Sequence, residues 1–117
     1  MKKLNLIELN EINFDLVQKY IDQDPKAFSG FNRLFGLMTF QTFGESEYDR
    51  IEPWVHWVSV HTGKDFEEHQ VFRLGDIVEF GGEQIFEKLE NLGFKVGCVS
   101  PMNAKNMLER PAFFIPD

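Results

Sequence analysis

Oxygen-bearing side chains stand at two places where this chain could do chemistry. The first is Glu8, Asn10 and Glu11, with Asp15 one helical turn further on. Such oxygen ligands, set at the end of an apolar run, suit a hard or borderline divalent cation. A solvated acidic turn before a helix has the same composition, because acids also favour the positive end of a helix dipole. The second place is Glu52, near the start of the segment Ile51 to Gly63, IEPWVHWVSVHTG. Glu52 suits an N-cap, Pro53 the first helical position and Gly63 the stop, so the spacing predicts a helix over 53–62. An anion at the start of that helix would meet free N–H groups and the positive end of the dipole. The Glu52 carboxylate could attack, ligate or simply cap.

The remaining reactive side chains point elsewhere. His56, His61 and His69 contain no i, i+4 pair, and His56 and His61 leave the helix in different directions, which argues against zinc held by these three alone. Trp54, Trp57, Val58 and His61 recur at helical spacing and read as a packed face, or as an aromatic wall beside a substrate. Ser59 is mid-helix, where a hydroxyl bonds back to a carbonyl, and is read as structural. Cys98 is the only cysteine, which excludes an internal disulfide and a Cys-rich zinc site. It falls within an apolar run, where a thiol is inert packing. Gly81-Gly82 is not a G-x-G-x-x-G motif after a strand, and no Walker loop is present.

Those residues need a scaffold. With 117 residues, 43% hydrophobic and 13 of them Phe, the chain is long and apolar enough for one domain with a core. A net charge of -7 argues against nucleic acid as a partner, while leaving room for a small anion held through a metal. No apolar run reaches the roughly 18 to 20 residues of a membrane span, so no membrane role is expected. Met1-Lys2-Lys3 is basic, but Asn5 and Glu8 interrupt Leu4 to Leu9. That run reads as a first strand rather than a signal peptide, which makes a cytoplasmic location the default.

Phe14 to Asp22 reads as a helix capped by Asn13, with Phe14, Val17, Tyr20 and Ile21 on one face. Ala27 to Phe35 reads as a second helix stopped by Gly36. Leu37 to Phe43 has strand composition. Gly44 to Arg50 reads as a loop, and Lys64 to Gly75 as irregular. Gly82 to Leu92 carries an apolar stripe of Ile85, Phe86, Leu89 and Leu92, with Gly93 just beyond. Phe94 to Ser100 reads as a buried strand, Asn103 to Glu109 as a short helix, and Ala112 to Ile115 as a third apolar run. The alternation predicts an α/β fold, a largely parallel sheet flanked by helices. Ligands in such sheets gather beyond the carboxyl ends of the strands, here near Glu8 to Glu11, Ser100 to Asn103 and Pro116-Asp117. An apolar strand directly before Asp117 leaves little chain to cover it. The 117 residues therefore read as a single incomplete α/β domain, the N-terminal part of something larger, prone to self-association through an exposed apolar strand.

Two segments resemble the alkaline phosphatase superfamily, in its type I phosphodiesterase/nucleotide pyrophosphatase and sulfatase-like branches. The first is Asn10-Glu11-Ile12-Asn13-Phe14-Asp15, similar to the family's Asp-Gly-Leu-Arg-Pro-Asp, with Asn10 where the metal-binding Asp stands. The second is the helix ending in Thr62-Gly63. The Gly82 to Ser100 helix–strand pair adds to the likeness. The resemblance implies a metal-dependent hydrolase of phosphate or sulfate esters, with an alkaline-phosphatase-like fold. It implies two divalent ions, zinc or manganese, that polarise the ester and stabilise the leaving oxygen. Glu8, Asn10 and Glu11 become metal-ligand candidates, and Glu52 and Thr62 catalytic candidates. The partner is a small anionic ester. The sequence departs from the family where a Thr, Ser or Cys nucleophile is expected, nine to eleven residues before the Thr of Thr-Gly: Ile51, Glu52 and Pro53 stand there. Thr39, Thr42 and Ser46 are upstream hydroxyls that a folded-over 44–50 loop would bring near. The other Asp and His ligands would lie beyond Asp117. A non-catalytic α/β binding domain is the alternative.

Overall fold

The computed structural model describes residues 3–117, so the basic start Met1-Lys2 lies outside the described residues. The chain divides into two compact units, 1–43 and 44–117.

The first unit is a pair of helices. Asn13 caps α1 (Phe14–Gln23) as its spacing predicts, its side chain accepting from the Leu16 N–H at 2.9 Å. A second helix, α2 (Ser29–Phe35), ends at Gly36. It starts later than 27 because the Asp24 carboxylate accepts from the N–H groups of Lys26 and Ala27 and holds a turn there. Tyr20 stacks on Phe28 at 5.5 Å and Phe14 meets Phe35 edge-on at 5.8 Å. Ile21 alone is buried among the described residues of this unit. The predicted strands over Leu4–Leu9 and Leu37–Phe43 are absent: both runs are irregular. A strand exists only as part of a ladder, and the sheet among the described residues consists of two strands from the other unit. Leu4–Leu9 therefore supplies no strand to the predicted parallel sheet, and Leu4, Leu6, Ile7 and Leu9 are exposed.

The second unit holds the core. Its central helix, α3 (Pro53–Thr62), has the predicted bounds, with proline at its start and Gly63 at φ 71° beyond its end. Gly63 adopts the left-handed conformation that costs glycine least, and its N–H closes the helix on the Ser59 carbonyl. The buried residues of α3 are Val55, Val58, His61 and Thr62, with the two tryptophans only half-buried. Val58 packs with Val71 and Ile77. A short helix, α4 (Phe66–His69), capped by Asp65, occupies the stretch read as irregular. The fifth helix, α5 (Ile85–Asn91), places Phe86 against Val96, Cys98 and Leu108. The Glu87 carboxylate returns to the Gln84 N–H at 2.7 Å, half of a capping box.

Two short strands follow. Gly97–Val99 (β1) and Phe113–Ile115 (β2) pair in parallel, Cys98 opposite Phe114. The inner face carries Cys98 and Phe114 towards α5, and the outer face carries Val99, Phe113 and Ile115, each more than half exposed. The expected helix over Asn103–Glu109 is missing. The crossover is instead irregular, with Asn103 and Leu108 buried, and is held by the fully buried Gln84, whose side chain bonds both the carbonyl and the N–H of Lys105. The fold is thus mixed helix with a small parallel sheet, α/β in the coarse sense. No helix among the described residues is long and apolar enough to cross a membrane.

Candidate functional site at the start of α3

A cavity of about 450 Å³ opens at the N-terminal end of α3. Three stretches of chain build it. The 3₁₀ turn Tyr48–Arg50 supplies Tyr48 and Asp49, the start of α3 supplies Glu52 and Trp54, and the segment after α4 supplies Phe72, Arg73 and Leu74. The walls are therefore largely aromatic and aliphatic, with two carboxylates and one guanidinium among them. Pockets with apolar walls and few polar groups are the usual form of small-molecule sites.

Each wall is fixed. The Trp54 indole N–H donates to the Phe72 carbonyl at 3.1 Å, tying the helix wall to the segment wall. Asn103 is buried and reaches in from the crossover. Its Nδ2 donates to the carbonyls of Trp54 (2.9 Å) and Arg73 (3.3 Å), and its Oδ1 accepts from the Gly75 N–H (3.0 Å). Its φ of 46° lies in the left-handed region, which asparagine tolerates better than most residues. On the turn side, Arg50 lies over the Phe66 ring at 4.6 Å and pairs with Glu45, Glu47 and Glu67. Glu45 in turn accepts the Phe66 N–H at 2.9 Å. The turn and α4 are thereby held together by charge, with a cation–π contact beneath.

Glu52 takes the N-cap position through its backbone, whose carbonyl accepts from the N–H groups of Val55 and His56, but its side chain makes no capping bond. The residue is exposed and is among those that line the cavity. Thr62 sits at the other end of α3. Ten residues of helix separate the two by about 15 Å of rise, so they do not share a site. The Thr62 hydroxyl donates to the Val58 carbonyl at 2.7 Å and accepts from the Lys64 N–H at 3.2 Å. Both bonds serve the end of the helix.

Ser59 and His69 form a hydroxyl–imidazole contact that resembles a nucleophile with its base, at 3.1 Å. Its wiring is wrong for that. His69 Nδ1 accepts the Val71 N–H at 3.0 Å, so Nδ1 carries no proton and Nε2 does. Nε2–H then donates to Ser59 Oγ. A base must accept the hydroxyl proton, and this nitrogen has none of its lone pair to offer. Burial pushes the His69 pKa below its ordinary 6.5, against the opposite pull of Glu45, Asp65 and Glu68. Ser59 is structural as its position suggested, though it bonds His69 rather than a helix carbonyl.

The other candidates lie in the first unit. Asn10 and Glu11 form an exposed turn with Glu11 at φ 55°, and Glu8 is half-buried. Among the described residues no three His, Cys, Asp or Glu side chains gather as a metal site. The contributions of Tyr48, Phe72, Arg73 and Asn103 carry no local signal in the sequence. They meet only through the return of the chain from α4 and from the crossover. Comparison with known proteins adds no assignment: no protein-family model, no curated protein and no solved structure matches the chain.

Proposed function

We propose that the chain forms the N-terminal part of a metal-dependent hydrolase of phosphate or sulfate esters, with an alkaline-phosphatase-like fold and a largely parallel sheet. The cavity at the start of α3 receives the ester. The observation that carries this reading is the position of that cavity. It opens at the helix end to which the Glu52 to Gly63 pattern assigns the chemistry, and Glu52 faces it without a capping bond. Arg73 supplies a planar donor suited to an oxyanion. The bare outer face of β1 and β2 supports a larger sheet, since parallel sheets are covered on both faces. Zinc or manganese ions would polarise the ester when bound. Glu52 is the oxygen donor that the cavity offers such an ion, and Glu8, Asn10 and Glu11 stay metal-ligand candidates within the first unit.

A second reading has its own support. Ile51, Glu52 and Pro53 offer no hydroxyl or thiol, and Ser59 is disarmed by the His69 tautomer. A non-catalytic domain that binds a small ligand in the same cavity satisfies both facts. Turnover separates the two. The chain, alone and extended by whatever its reading frame encodes after Asp117, is assayed on phosphodiester and sulfate-ester model substrates with Zn²⁺ and Mn²⁺. Residues 1–117 alone are expected to be inactive. The extended form is expected to turn over with metal, and Glu52→Gln to abolish it. Ligand binding with no turnover in either form would favour the binding domain.

A further inference from the structure

The Phe72 wall of the cavity is attached to a buried histidine. His69 closes α4 and is 4% exposed. Its Nδ1 holds the Val71 N–H, two residues on, and its Nε2–H reaches Ser59 on α3. Val71 is itself buried beside Val58 and Ile77. The next residue, Phe72, offers its carbonyl to the Trp54 indole. One ring therefore fixes the path of the chain from α4 to the cavity.

We propose that His69 is an acid-sensitive latch, holding the Phe72 wall against Trp54 while neutral and releasing it when protonated. The chemistry is one proton moving from solvent to Nδ1. That nitrogen is the acceptor of the Val71 N–H, so protonation sets two donors face to face. The imidazolium keeps Nε2–H on Ser59, and only the Val71 side must move. The charged groups around the ring are Glu45 from the segment before the 3₁₀ turn and Asp65 and Glu68 from the α4 end. Arg50 pairs with Glu45 and Lys64 with Glu68, which limits the welcome those acids give a second cation. Burial of the ring opposes protonation until the segment opens. Opening therefore takes up a proton, and its equilibrium rises as pH falls below about 6.5, by up to about tenfold per pH unit for a single site. The latch stands whether the cavity serves a hydrolase or a binding domain.

The test is amide exchange of the chain followed by NMR between neutral and mildly acid pH, with the intrinsic pH dependence divided out. Protection at Val71 is expected to fall with acid while Val55 and Val58 keep theirs, and the Trp54 indole resonance is expected to shift in step. His69→Asn places an amide oxygen where Nδ1 accepts and cannot titrate, so its Val71 protection is expected to stay flat. Equal loss in His69→Asn, or no loss in the wild type, would overturn the latch. Should His69→Asn fail to fold, the ring nitrogen shifts of the wild type decide: a proton on Nδ1 at neutral pH overturns the proposal, and one on Nε2 with acid-linked loss at Val71 upholds it.

Discussion

Replacing Asn103 by alanine is expected to damage both stability and the cavity, because one side chain pins two of its walls. The substitution removes the bonds to the Trp54 and Arg73 carbonyls and to the Gly75 N–H. Each such bond contributes about 0.5 to 1.5 kcal/mol net. Alanine must also hold the φ of 46° without a side chain that bonds locally, a further penalty of about 1 kcal/mol. The expected loss is about 3 to 5 kcal/mol, a large part of the roughly 5 to 15 kcal/mol that holds a domain together. Urea unfolding followed by tryptophan fluorescence reads it. With a slope of about 1 to 3 kcal/mol per molar, the midpoint should drop by more than about 1 M. Asn103→Gly separates the contributions: it relieves the backbone but not the bonds, so it should recover only about 1 kcal/mol relative to alanine. Should Asn103→Ala fall within about 0.5 kcal/mol of wild type, as an ordinary surface change does, the pinning of Trp54 and Arg73 described above would be refuted.

Other outcomes follow from the same contacts. Val58→Ala empties a fully buried position between α3, Val71 and Ile77 and should cost about 2 to 3 kcal/mol in chemical unfolding. Gly63→Ala forces a left-handed φ of 71° on alanine where the space is open, so the loss should be near 1 kcal/mol and purely conformational, with the helix content by circular dichroism unchanged at low temperature. The His69 pKa is depressed in the fold, so the unfolded state binds the proton more readily. Its contribution to stability is complete above the unfolded value of about 6.5 and is lost as pH falls towards the lower folded value. Unfolding midpoints measured across that window should decline with acid in the wild type and less in His69→Asn.

The sequence carried the helix ends well where the signals are local. Asn13 before α1, Pro53 and Gly63 around α3, and Gly93 after α5 each act through their own backbone or side chain, and each appears where its residue type predicts. Strands were less legible. An apolar run such as Leu4 to Leu9 meets the composition of a strand, but pairing depends on a neighbour that the run itself cannot specify. Phe113–Ile115 found a neighbour in Gly97–Val99, and Leu4–Leu9 found none in the described sheet. Glu52 was legible as the residue at the start of α3, because proline and glycine fix the ends of that helix. Asn103 was not, because its three partners lie 28 to 49 positions away. The Ser59–His69 wiring was hidden for the same reason: Nδ1 is committed to the Val71 backbone, leaving Nε2–H for Ser59, only once α4 has turned.

The most direct test of the central claim is phosphate binding at the start of α3. The chain is titrated with inorganic phosphate in the presence of Zn²⁺ while the Trp54 indole and the backbone resonances of Glu52 and Arg73 are followed, with Glu52→Gln in parallel. The Glu52 side chain makes no capping bond to the helix, so this variant should be as stable as the wild type to within about 0.5 kcal/mol. The expected result is a saturable, zinc-dependent shift centred on Trp54, Glu52 and Arg73 that Glu52→Gln weakens at least tenfold. No shift at these residues, or a shift that Glu52→Gln leaves unchanged, would contradict an ester site at this end of the helix.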